Sequence, residues 1–154
     1  MRRDKLLRIL VGVCIALAPF VAVGQTKVES KQRTITVDEG RELIYALLKS
    51  SGCTRSKCAV DELKDTYFPQ FYFFYGSWPN PLGSPHIGSW AVDPATADVW
   101  DANVCAEYRG GALAKLQLPL RRRLSLTRQA YTKLKQRPPM CDPGEKVEIR
   151  TGRY

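Results

Sequence analysis

Four cysteines constrain what this chain can fold into more than any other feature of it. Cys53, Cys58, Cys105 and Cys141 remain once an expected leader, which holds Cys14, is set aside. An even set in an exported domain reads as two disulfides, and three pairings are open. The spacing favours Cys53–Cys58 around a short turn behind a helix. Cys105–Cys141 then ties the end of a strand to the tail beyond the last helix. Zinc is the competing use of such residues. It is disfavoured because Cys-x4-Cys has no matching second pair and the only histidine is His86. No metal and no cofactor are expected.

The leader itself is read from the first 24 residues. Arg2, Arg3, Lys5 and Arg8 precede an uncharged apolar run from Ile9 to Gly24 that closes on Ala22-Val23-Gly24, a small-x-small cleavage pattern. That order is a secretory signal peptide with its cut expected after Gly24. The run falls short of the ~20 residues that span a bilayer, and Pro19 interrupts it. Asp4 and Lys5 displace the apolar pair that twin-arginine export would want after Arg2-Arg3. The expected location is periplasmic or secreted.

Charge narrows the partners. The full chain has 24 Lys+Arg against 15 Asp+Glu, a net +9, and removing the leader's four cations and one acid leaves +6. Residues 25–154 suffice for a single globular domain with one core, a frayed leader and a tail. A positive balance favours acidic proteins, membrane surfaces or anionic envelope polymer, and export makes genomic nucleic acid the least favoured.

Along the chain, Thr36 and Glu39 have the form of a capping box. Leu43, Ile44, Leu47 and Leu48 follow at helical spacing and Ser50-Ser51-Gly52 supplies the stop. A second, shorter helix is expected over 59–64, with Val60 and Leu63 turned inward. Every position from Phe71 to Tyr75 is aromatic, which favours a strand with Phe71, Phe73 and Tyr75 on one face and Tyr72 and Phe74 on the other. Both faces are bulky, so one of them is either covered or offered to a partner. Pro79 to Pro85 forms a stiff loop. Residues 87–92 and 98–105 read as a hairpin around Asp93-Pro94-Ala95-Thr96-Ala97, with Ala97 near the left-handed position that usually wants glycine. Trp90 and Val92 share one face, and register decides whether Trp90 meets Trp100. Pro119 suits a first helical position, and Leu120, Leu124, Thr127, Tyr131 and Leu134 continue one long amphipathic helix to Pro138. A short strand at Val147 to Ile149 closes the tail.

Candidate chemistry falls into three groups. Tyr72, Phe74, Trp78, Trp90 and Trp100, with His86 and Asp98 beside them, form the candidate contact surface, because aromatics bury much area with few torsions. Arg121, Arg122, Arg123, Arg128, Lys133 and Lys135 lie in a stretch from Tyr108 to Cys141 without one acidic residue, a candidate docking face for an acidic protein, anionic polymer or membrane surface. Asp98 with Asp101, or His86, supply the titratable groups for an alternative reading as an envelope hydrolase. No Gly-x-Ser-x-Gly elbow, phosphate loop or dinucleotide fingerprint accompanies them.

The hairpin from Ala91 to Trp100 resembles the Val-Asp-x-x-Thr-Gly-x-Val hairpin of PepSY-like domains, and similar hairpins occur in small exported inhibitor and immunity proteins. Ala97 replaces the glycine of that pattern. The resemblance implies a helix-plus-antiparallel-sheet domain that binds other proteins, and transfers no functional residue. The expected fold is therefore α+β: three to four antiparallel strands packed by two main helices and stapled by disulfides. The expected role is non-enzymatic protein binding in the cell envelope, as an inhibitor or immunity factor against an envelope-directed enzyme. Contact is expected from the aromatic strand, the proline loop and the hairpin around Asp93 to Asp101.

Overall fold

A computed structural model describes residues 33–64, 67–79, 83 and 85–151. The expected leader and the centre of the proline loop lie outside them. Helix α1 (Val37–Leu48) starts where the capping box places it: Glu39 N–H donates to Thr36 Oγ1 at 3.2 Å and Thr36 N–H to Glu39 Oε2 at 2.8 Å. A single 3₁₀ turn then stops at Gly52, whose φ of 82° is the left-handed conformation glycine adopts without cost.

Six strands follow in one sheet, ordered as in the sequence: β1 (Ala59–Leu63), β2 (Tyr72–Ser77), β3 (His86–Val92), β4 (Val99–Asp101), β5 (Ala106–Arg109) and β6 (Glu148–Thr151). Neighbours are antiparallel as far as β5, and β5 pairs with β6 in parallel. A parallel pair needs a crossover. Here it is made by helices α2 (Gly111–Arg123) and α3 (Arg128–Leu134).

Four expectations are corrected. The sheet is mixed and has six strands rather than three or four antiparallel ones. Residues 59–63 form β1, not a helix. A segment that short cannot sustain a helix alone, and the aromatic strand offers it a ladder from Ala59↔Ser77 to Leu63↔Phe73. The long helix is two: α2 begins well before Pro119, which sits inside it, and the chain turns at Ser125 (φ 58°). Thr127, read as an interior position, caps α3 by accepting the Ala130 N–H at 3.1 Å. The segment read as one strand over 98–105 is likewise split, into β4 and β5.

The sheet has two packed faces. Phe74 stands opposite Trp90, Val92 opposite Val99, and Val99 opposite Tyr108. That row lies in one core with Leu43, Ile44, Leu47 and Leu48 of α1 and Leu113 of α2. A Cβ at Gly76 would come within 2.8 Å of Trp90 Cζ3, so glycine is what lets the indole lie flat there. On the other face Phe73, Ala91 and Trp100 form a smaller cluster with Phe71, whose ring meets Trp100 edge-on at 5.1 Å. Trp90 and Trp100 therefore point to opposite faces and do not meet: Ala91 is the residue opposite Trp100.

Both disulfides are those the spacing favours, Cys53–Cys58 and Cys105–Cys141. The second joins the start of β5 to the tail that carries β6. The sulfurs of Cys105 and Cys141, beside Glu145, are thereby committed to each other rather than to a metal.

Candidate functional site

The acidic turn between β3 and β4 is built for internal bonding. Asp93 Oδ1 accepts the Ala95 N–H at 2.7 Å, and the Ala97 N–H returns to the Asp93 carbonyl at 2.8 Å. Ala97 adopts φ 58°, the conformation the turn needs from its usual glycine. Its methyl group is buried in the α1 core, an apolar gain that glycine would forgo. Gln117 Nε2 donates to the Ala97 carbonyl at 2.8 Å and Arg121 Nε to the Thr96 carbonyl at 2.9 Å, so α2 lies across the turn.

Asp98 is the centre of this arrangement. It accepts from Thr96 Oγ1 at 3.0 Å, Arg121 Nη2 at 2.6 Å and the Tyr131 hydroxyl at 2.9 Å. Burial pushes its carboxyl above the usual range even though Arg121 opposes the shift. Glu107, on the Trp100 face, accepts from Arg109 Nε at 2.6 Å and Lys135 Nζ at 2.7 Å. Burial acts upward on Glu107 too, but those hydrogen bonds outweigh it and hold the carboxyl below its ordinary range. Asp93 is fully buried, and burial raises its carboxyl as well.

A raised carboxyl gives a signed expectation. The folded state binds the Asp93 proton more tightly than the unfolded chain, so its stabilising contribution is complete below the unfolded value of about 3.9. That contribution is lost as pH rises through the folded value. In Asp93→Asn this component vanishes, so the stability difference, variant minus parent, increases with pH above about 4. Urea titrations of both proteins at several pH values check it, and a difference flat with pH contradicts it.

The candidate contact residues divide by burial. Phe74, Trp90, Trp100 and Asp98 are all 1% exposed or less. They belong to the interior, a correction to their reading as contact surface, because α1, α2 and the 67–71 segment cover both sheet faces there. The Asp93–Asp101 hairpin leaves the expected contact surface with them. Tyr72 is half-buried and donates its hydroxyl to the Ile35 carbonyl at 3.1 Å. Trp78 is half-buried, and His86 is exposed.

His86 begins β3, and its ring stacks on Tyr75 at 4.7 Å with 9° between the planes. Its Nε2 lies 3.1 Å from Ser89 Oγ. Beside this pair β1 places Asp61 opposite Tyr75 and Leu63 opposite Phe73, and Leu63 is 48% exposed. Leu63, Tyr75, Ser89 and His86 thus form an open strip across β1–β3, on the face α1 leaves uncovered. Tyr75 is legible from the alternation that begins at Phe71. Leu63 is legible only once 59–63 is known to be a strand.

The remaining groups do not converge on one another. Asp101 accepts from the Tyr108 hydroxyl and from Arg150 Nη1, each at 2.9 Å, in a network separate from that of Asp98. His86 stands apart from both. The basic row is only partly free. Arg121 and Lys135 are held by Asp98 and Glu107, and Arg123 Nη2 donates to Glu39 Oε2 at 2.6 Å. That last pair holds Glu39 below its ordinary range. Arg122, Arg128 and Lys133 are exposed without an acidic partner among the described residues.

No protein-family model matches the chain, PepSY included. No curated protein matches it either. Among solved structures, a chain in a type VI secretion system effector-immunity complex from Pseudomonas protegens is similar in fold, with a TM-score of 0.54 and 21% identity. The match covers 68% of this chain and 88% of that one. The likeness is one of fold, an α+β domain.

Proposed function

We propose that this chain is an exported, non-enzymatic protein-binding domain that acts as an inhibitor or immunity factor against an envelope-directed enzyme. The observation that carries the reading is the open strip of Leu63, Tyr75, Ser89 and His86 on a rigid sheet. A stacked aromatic pair on fixed strands presents area without an ordering cost, the property of a binding hot spot. The fold likeness to a chain of an effector-immunity complex supports it. Two disulfides suit an oxidising compartment, in keeping with a leader cut after Gly24. No described helix is long and apolar enough to cross a membrane.

Affinity capture from envelope extract with the oxidised protein, read by mass spectrometry, tests the reading. The parent protein retains one enzyme, and Tyr75→Ala/His86→Ala weakens that complex about tenfold or more. Retention undiminished in the variant contradicts the assignment of this strip. A second reading, attraction of anionic polymer to Arg122, Arg128 and Lys133, predicts binding that disappears at moderate salt and on neutralisation of those three side chains.

A further inference from the structure

A second surface lies on the helical side of the molecule, and what it says about the partner rests on the protein-binding reading above. Two adjoining hollows of about 290 and 450 Å³ run along the junction of α1 and α2 and share Ala46, Lys49 and Ala112. Both alanines line both hollows, and their small side chains leave space that larger residues would fill. Leu47 and Leu113 deepen the floor, and Tyr45 and Leu116 stand at the sides. Leu116 is 39% exposed, an apolar side chain given to the groove rather than to the core.

The rim is cationic. Lys49, Arg55, Arg109 and Lys115 line it; Arg55 pairs with Glu42 and Arg109 with Glu107. Lys49 and Lys115 have no acidic partner among the described residues. Like charges drawn around an apolar floor repel until a counter-charge arrives. An apolar floor between cations also selects the form of the ligand: carboxylates for the rim, hydrocarbon side chains for the floor. Anionic glycan and phosphate chains bring the first without the second.

We infer that the α1–α2 groove takes an extended acidic peptide segment of the partner protein, with acidic and apolar side chains in alternation. The open strip and the groove then grip different parts of the same partner.

The probe is a fluorescein-labelled octapeptide of alternating Glu and Leu, titrated by anisotropy against the oxidised protein in about 0.15 M salt. The parent protein binds it saturably. Lys49→Glu/Lys115→Glu weakens binding by about tenfold or more, whereas Arg128→Glu/Lys133→Glu, which reverses exposed cations elsewhere, changes it by less than about twofold. Ala112→Phe, which fills the groove without changing charge, weakens binding to a similar extent as the first pair. All variants keep the parent's melting temperature, since each substitution is on an exposed position. Absence of saturable binding by the parent, or equal weakening by the two charge-reversed pairs, overturns the inference. So does a Lys49→Glu/Lys115→Glu protein that captures the enzyme as tightly as the parent, and that result leaves the proposed function standing. Saturable peptide binding by a parent that captures no enzyme upholds the groove and removes the function instead.

Discussion

Replacing Cys105 and Cys141 together by alanine lowers the stability of the domain by about 3–4 kcal/mol, measured by denaturant titration of the variant against the oxidised parent. The size follows from the 36-residue separation of the two cysteines, since closing a long loop removes more freedom from the unfolded chain than closing a short one. Cys53 and Cys58 are only five residues apart, so their removal costs less, about 2 kcal/mol. The long bridge also has a local task. It sits where the Glu148 N–H donates to the Cys105 carbonyl at 2.9 Å, the point at which β6 joins the sheet in parallel. Without it β6 keeps Arg150 on Asp101 and its ladder to β5, but loses the anchor of its lead-in segment. Amide exchange at Glu148 and Arg150, whose N–H groups face β5, therefore accelerates before that of β2 and β3. If loss of the short bridge proves the more costly, the disulfides do not act through loop closure.

Trp90→Ala costs about 3–5 kcal/mol, the range for emptying a large aromatic site in a packed interior. The indole is fully buried, opposite Phe74 on β2 and Asp101 on β4, and lies against Gly76. No neighbour can collapse into the space, because Phe74 and Val92 are themselves pinned under α1. Tyr75→Ala, one position from Phe74 but on the opposite face, costs far less stability while acting on the partner. Urea unfolding of the two variants separates interior from contact surface. A loss below about 1 kcal/mol at Trp90 would return that residue to the surface.

Local signals made much of this legible in the sequence. The capping box at Thr36–Glu39 and the leucine spacing behind it specify α1, because both the cap and the apolar stripe are encoded within one helix length. The aromatic run specifies β2, and the Cys53/Cys58 and Cys105/Cys141 spacings gave the correct bridges. What failed was decided at long range. Val60 and Leu63 stand at helical spacing, which in a strand puts them on opposite faces, and the pairing with Phe73–Ser77 decides for the strand. The acidic turn reads as surface because its partners are distant in sequence: the Arg121 guanidinium lies 23 residues beyond Asp98, and the Tyr131 hydroxyl 33 residues. Once α2 and α3 fold over the turn, those charges neutralise one another inside, and the basic row loses Arg121 and Lys135 to the same pairing. The break at Ser125 follows from a backbone conformation that its residue type does not announce. The open strip was hidden for a related reason: which side of the aromatic strand stays exposed depends on where α1 docks.

Catalytic activity of the captured enzyme, followed as the oxidised protein is added in increments, tests the central claim most directly. Activity falls to near zero at one equivalent of the parent protein, and Tyr75→Ala/His86→Ala requires a large excess for the same effect. An enzyme that stays fully active while saturated with the parent protein would contradict the proposed inhibitory role.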